Sequence, residues 1–248
     1  MRALLLVGHG SLRPGSGAAM LRLAARLREA GTAPLVGAGF LNYSRPPLAE
    51  ALARLRARGA TAVTVLPYFL VPGYFTGAAL PRALDGLRAA NPDLPITQVE
   101  PLGAHPALAD LVRRRAVAAG AVPGSAVLLA AHGSPDPASN TPVYTVARML
   151  AAQGAFAAVG VCFLGLNEPD IPTAIAAHVA RGDDSIVVVP YLLQLGGHAA
   201  EDLPAAIAEA QARHPAAHLV LAAYLGYDPA IAEVLVARAA GAVDDGLS

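Results

Sequence analysis

The chain's 248 residues predict two tandem open α/β domains, each built on a mainly four-stranded parallel sheet flanked by helices. Three observations lead there. An internal repeat relates the two halves at a constant offset, each half alternates apolar runs with amphipathic stretches, and the turns between them are short. His9-Gly10-Ser11 returns as His132-Gly133-Ser134, Phe40-Leu41 as Phe163-Leu164, and Pro67-Tyr68 as Pro190-Tyr191. Leu80-Pro81 likewise returns as Leu203-Pro204, and Leu102-Gly103 as Leu225-Gly226. All these pairs lie 123 residues apart, so the halves align without net insertion. Solenoid repeats have periods of roughly 20–50 residues; a period this long is a duplicated domain. The domains are expected at 1–120 and 125–240, joined by a linker holding Pro123-Gly124.

The elements follow in order. Apolar runs at 3–8, 34–40, 61–67 and 96–101 read as buried parallel strands. Stretches at 17–30, 46–58, 79–90 and 106–119 read as helices. In the second of these, Leu48, Leu52 and Leu55 fall on one helical face, with Glu50, Arg54 and Arg58 among the polar positions. Gly31 and Gly59 stand where a helix needs a left-handed terminator. Pro46-Pro47, Pro169 and Pro204 stand at helix starts, where a missing N–H costs nothing. The second half repeats the pattern with strands near 126–131, 157–163, 185–190 and 218–223. The tail from Gly241 to Ser248 is expected to fray.

Composition removes several function classes. Eighteen basic residues, all Arg, balance eighteen acidic ones, which excludes an electrostatic nucleic-acid binder. The longest stretch free of Asp, Glu and Arg is broken by Pro67, Pro72, Gly73 and Gly77, so no membrane span is expected. The start MRALLLVGHGS has no cleavage signal and reads as a first strand. Cys162 is alone, which excludes an internal disulfide and fits a reducing, cytoplasmic setting. It lies in a strand run and reads as a small buried hydrophobe.

In open parallel sheets, ligands bind beyond the carboxyl ends of the strands. His132 directly follows the first strand of the second half, Glu168 its second, and His198 its third. Three metal-binding or proton-handling groups therefore leave three strands at one edge. The first half keeps His9 but sets Arg45 opposite Glu168 and Phe75 opposite His198. Catalysis is accordingly expected in the C-terminal half. Ser11 and Ser134 sit in no G-x-S-x-G elbow and read as caps of the following turn or helix. His105, His178, His214 and His218 read as helix-start, surface or turn residues, and Asp202 as a first-turn acid.

In these residues the chain resembles the class II tetrapyrrole chelatases of the CbiX and SirB type, in their two-domain form. The resemblance rests on the paired His-Gly-Ser motifs and Phe-Leu with Pro169. It rests also on Pro190-Tyr-Leu-Leu-Gln-Leu-Gly-Gly-His-Ala-Ala-Glu-Asp-Leu-Pro204 and the two Leu-Gly-x-x-Pro motifs at 102–106 and 225–229. It covers nearly the whole chain and implies chelatase-like, flavodoxin-like domains. The implied activity is insertion of Co2+ or Fe2+ into sirohydrochlorin, for cobalamin or sirohaem, with no permanently bound cofactor. The family's two metal-handling histidines map onto His132 and His198, and its acidic neighbour onto Glu168. Two-domain members commonly carry the working pair in the N-terminal half. Phe75 occupies that place here, so the mapping goes to the C-terminal positions. The segment from His132 to Asn140 resembles the cobalt-associated branch.

The chemistry suits these side chains. Imidazole suits iron, cobalt and nickel, so Ni2+ is also compatible. Two histidines with open positions make an exchangeable site rather than a closed structural one, and neutral imidazole also accepts protons. A substrate rich in carboxylates calls for Arg, hydroxyl or backbone N–H groups. Arg13, Arg45, His9, Ser134, Tyr191 and Gln194 are the candidates. The rival of another class is a non-catalytic metal or tetrapyrrole carrier. A histidine–serine hydrolase ranks last, lacking the elbow. Both a monomer and a homodimer remain open.

Overall fold

The computed structural model describes residues 1–12, 17–194 and 196–244. The first half runs β1 (Arg2–Gly8), α1 (Ala18–Glu29), β2 (Leu35–Phe40), α2 (Leu48–Ala57) and β3 (Ala62–Pro67). A turn of π-helix (Phe75–Ala79) then leads into α3 (Leu80–Ala90), β4 (Ile96–Gln98) and α4 (Pro106–Ala118). The second half runs β5 (Ala126–Ala131), a 3-10 turn (Pro137–Asn140), α5 (Thr141–Ala152), β6 (Ala158–Phe163) and α6 (Ile171–Ala180). It closes with β7 (Ser185–Pro190), α7 (Gly197–Arg213), β8 (His218–Leu221) and α8 (Pro229–Asp244).

Two four-stranded parallel sheets result, ordered β2-β1-β3-β4 and β6-β5-β7-β8. The central strands β1 and β5 are buried along almost their whole length, because helices cover both faces. Matching registers repeat the duplication: Val7 pairs with Gly39 and Pro67, and Ala130 with Cys162 and Pro190. One core gathers Leu5, Val7, Leu52, Leu55, Val65 and Leu84. The other gathers Leu128, Cys162, Ile175, Ile186, Val188 and Leu203. Gly31 and Gly59 follow α1 and α2 with φ of +67° and +88°, as their places required. No helix among the described residues is long and apolar enough to cross a membrane.

Compact packing divides the chain differently from the repeat. One unit holds Met1–Gly103 together with residues from Tyr227 onward, and the other holds Ala104–Gly226. The fourth helix of each half therefore joins the sheet of the other half. Helix α8 packs on α1 and β3, and α4 on α5 and β7. Equivalent arginines secure each exchanged helix. Arg238 donates to the Leu102 carbonyl at 2.8 and 3.2 Å, while Arg115 donates to Tyr224 and Leu225 carbonyls at 3.1 and 2.9 Å. The compact units are thus a different partition of the chain from the 123-residue repeat.

Five local expectations change, one of them Asp202, which lies beyond the first turn of α7. Pro204 lies inside α7 rather than at a helix start, because that helix begins at Gly197 and its early turns take up residues ahead of the proline. Strand β4 stops at Gln98 rather than 101, just before Pro101, which has no N–H for a ladder. Helix α8 extends through Asp244, so residues 241–244 are helical and only 245–248 lie outside the described residues. His178 is buried, filling space above Gly160, whose missing Cβ leaves the imidazole room.

Candidate functional site

From β5 the chain passes to β6 on one side and then to β7 on the other. The strand order reverses at the carboxyl ends of β5 and β7, the place where open parallel sheets hold their ligands. His132 follows β5 and is exposed, with no hydrogen-bond partner among the described residues. His198 falls in the first turn of α7, after β7; its side chain lies outside the described residues. Glu168 follows β6 and is exposed. Its Oε2 accepts the Asp170 N–H at 3.0 Å, which leaves Oε1 for other chemistry.

The loop carrying His132 is tightly held. Gly133 has φ +89°, and a Cβ there would sit 2.6 Å from both the Asn167 Oδ1 and the Gly165 carbonyl, so only glycine fits. The Ser134 N–H donates to Asn167 Oδ1 at 2.7 Å, and the Ser134 Oγ accepts the Asp136 N–H at 3.3 Å, capping the turn as expected. Asn140, 3% exposed, donates to the same Asn167 oxygen at 3.0 Å. Between Gly165 and Asn167 the chain makes a three-residue turn, closed by an N–H···O bond of 2.8 Å, with Leu166 at φ +64°.

Of the remaining candidates, Gln194 is exposed at the same edge. Tyr191 is not at the surface: it is 2% exposed, its hydroxyl has no hydrogen-bond partner among the described residues, and burial pushes its pKa up. The ring belongs to the core beneath the site because it follows directly on the buried end of β7.

The first unit presents a reduced version of this edge. His9 follows β1, and its Nδ1 lies 2.7 Å from the Gly10 carbonyl. A carbonyl only accepts, so Nδ1 is the donor in this bond. The Phe75 ring, where the second histidine is missing, meets the His9 ring edge-on at 4.2 Å between centroids. Tyr43 and Tyr74 extend this aromatic group and are both exposed. Arg45 is exposed after β2, and Arg13 lies outside the described residues. Ser44 takes the part of Asn167, its Oγ accepting the Ser11 N–H at 3.0 Å. Among the described residues no three His, Cys, Asp or Glu side chains gather into a metal cage.

Sequence reasoning missed the amide pair Asn140–Asn167 and the aromatic group at Tyr43 and Tyr74. The available signal was Asn167 and Ser44 at equivalent positions, both able to accept an N–H from the loop beside them.

Duplicated open parallel sheets, each with a His-Gly-Ser loop at its switch point, define a protein of two tandem α/β units with a ligand-binding edge on each sheet. The chain belongs to the CbiX family, whose model matches residues 3–119 and again 126–242. A sirohydrochlorin cobaltochelatase of Priestia megaterium is 25% identical, over 96% of this chain and 79% of the relative. A sirohydrochlorin ferrochelatase of the same organism is 26% identical, over 95% and 88%. Among solved structures, SirB from Bacillus subtilis with Fe3+ superposes with a TM-score of 0.89 at 22% identity, covering 99% of this chain and 98% of that one. A multi-domain protein of Deinococcus radiodurans with structural similarity to chelatases is 32% identical, with a TM-score of 0.79, covering 97% of this chain and 55% of that one.

Proposed function

We propose that this chain is a sirohydrochlorin metal chelatase that inserts Co2+ or Fe2+ into the macrocycle, working from its C-terminal half. The carrying observation is topological. His132 and the turn bearing His198 leave the two strands that flank the switch point of one sheet, with Glu168 leaving the third. The family membership and the two chelatase relatives support the reaction; the metal is substrate rather than resident cofactor. Ni2+ fits the same imidazole donors.

In the reaction, a divalent ion enters the macrocycle and two pyrrole protons leave. His132 and His198 hold the ion through neutral imidazole nitrogens, with coordination positions left open for transfer. The free Glu168 oxygen and the imidazoles accept the two protons. Ser134 and Gln194 contact the carboxylate-rich substrate, and Tyr191 supports the edge from beneath; Arg45, Arg13 and His9 are the candidates of the first half for binding substrate carboxylates. The chain acts as a cytoplasmic monomer or homodimer; its single buried thiol and the lack of a spanning helix among the described residues support that setting.

Anaerobic absorbance assays of sirohydrochlorin with Co2+, and separately with Fe2+, test this. Wild type is expected to turn over many times. His132→Ala and His198→Ala should each lose at least tenfold in kcat, and His9→Ala should keep most of kcat and show its substrate-binding role in KM alone. Saturation of wild type at one equivalent would make the chain a carrier instead. Loss with His9→Ala alone would move the chemistry to the first half.

A further inference from the structure

The imidazole of His132 is exposed and has no hydrogen-bond partner among the described residues, so its position is set by its backbone. That backbone is held at one point above all, the Ser134 N–H bonded to Asn167 Oδ1 at 2.7 Å. Asn167 is in turn locked. A backbone N–H and the Asn140 amide both donate to its oxygen, which fixes which way the Asn167 amide faces. Asn140 is buried at the end of the 3-10 turn, and Asp136 secures that turn by accepting from the Ala138 N–H at 3.1 Å and the Ser139 hydroxyl at 3.2 Å. Leu166, a large residue at φ +64°, sits in the turn that delivers Asn167. A strained backbone of this kind persists only where its surroundings over-determine it.

The duplicated unit is an internal control. It repeats the positive-φ glycine (Gly10, +84°), the three-residue turn (Tyr43, +55°) and a side-chain acceptor for the loop N–H (Ser44). It lacks the amide pair, since Ser44 stands for Asn167 and Gly17 for Asn140. The doubly anchored loop thus occurs in the half that carries both histidines and the glutamate.

We propose that Asn167 and Asn140 are positioning residues for His132, holding the 132–134 loop so that the imidazole meets the metal in one place through uptake and release. This rests on His132 being a metal-handling group of the proposed chelatase. Partners that orient a metal ligand without touching the metal typically govern about 10–100-fold in affinity or activity.

The test compares wild type, Asn167→Ala, Asn167→Ser, Asn140→Ala and His132→Ala in the full chain. It measures kcat, KM for sirohydrochlorin, Co2+ affinity by visible absorption, and Tm. Asn167→Ala should lower kcat and weaken Co2+ binding by about 10-fold or more, with KM for sirohydrochlorin within about twofold of wild type. Asn167→Ser, which keeps an acceptor for the Ser134 N–H as the first unit does, should recover most of the loss; Asn140→Ala should lose less than Asn167→Ala. Wild-type kcat and Co2+ affinity in Asn167→Ala, beside an inactive His132→Ala, would overturn the positioning role. So would a loss that follows Tm and is not rescued by serine. Undiminished turnover in His132→Ala would instead overturn the metal-site assignment beneath it.

Discussion

His178 carries a pH response that is separate from the site. It replaces the leucine that stands at Leu55 in the first half, and its Nδ1 lies 2.8 Å from Asp183 Oδ2. Arg181 reaches both groups, at 2.8 Å from the ring and 3.2 Å from the carboxylate. Burial lowers the imidazole pKa most, Arg181 lowers it further, and the Asp183 hydrogen bond and charge oppose without reversing the shift. The unfolded chain takes up its proton near pH ~6.5 and the folded chain only at lower pH. In that window the unfolded state binds more protons, so stability rises with pH, is complete above about 6.5 and is lost as pH falls below it. His178→Leu, the solution used in the first half, should therefore flatten the fall in Tm between pH 7.5 and 5.5. Equal falls in wild type and variant would show that other groups set the acid response. Cys162 shows the same cost of burial at a thiol, pushed up to about 12 chiefly by desolvation and then by the Asp170 charge, which keeps it protonated and a poor ligand.

At the scale of elements, the two halves solve the same helix start in different ways. Asp170 caps α6, its Oδ1 accepting the Thr173 N–H at 2.8 Å, whereas Pro47 at the start of α2 has no side-chain cap. The bonds to Thr173 hold the Asp170 carboxyl below its ordinary value. Asp170→Ala should cost about 1 kcal/mol at pH 7, read as a lower urea midpoint. Because the folded pKa is depressed, that difference should begin to shrink as pH falls below about 3.9, where the unfolded chain takes up its proton, and should vanish only as the folded carboxyl protonates at lower pH; a difference constant down to pH 2.5 would rule out the capping role. The strands and most helices were legible because their apolar runs are long and their turns are marked by Gly and Pro. The buried face of α6 was not. Its sequence IPTAIAAHVA is apolar nearly all round, so periodicity does not say which side His178 takes. The start of α7 was hidden because Pro204, read at a helix start, and Asp202, read in a first turn, both suggested a later beginning than Gly197.

For the whole molecule, the duplication was plain in the sequence, but the exchange of α4 and α8 was not. The two halves are alike, so an apolar helix face reads the same whether it covers its own sheet or its twin's. The candidate site was legible to the same extent: equivalence placed His132, Glu168 and His198 at one sheet edge, while the Asn140–Asn167 bond depends on a turn geometry that carries no periodic signal. The exchange has a consequence for fragments. Helix α4 buries Leu108, Leu111 and Val112 in the second unit. At about 1.5–3 kcal/mol for each such side chain, its removal takes away about 5 kcal/mol or more, comparable to the whole stability of a small domain. A fragment spanning 104–226 is a continuous compact unit and should unfold cooperatively in urea with helix and strand signals intact. The repeat half 125–240 lacks α4 and leaves α8 without the α1 and β3 surfaces it covers, so it should show a shallow, non-cooperative transition. Cooperative unfolding of 125–240 at the midpoint of 104–226 would mean that each repeat closes its own core in solution and that the exchanged helices are not needed for folding.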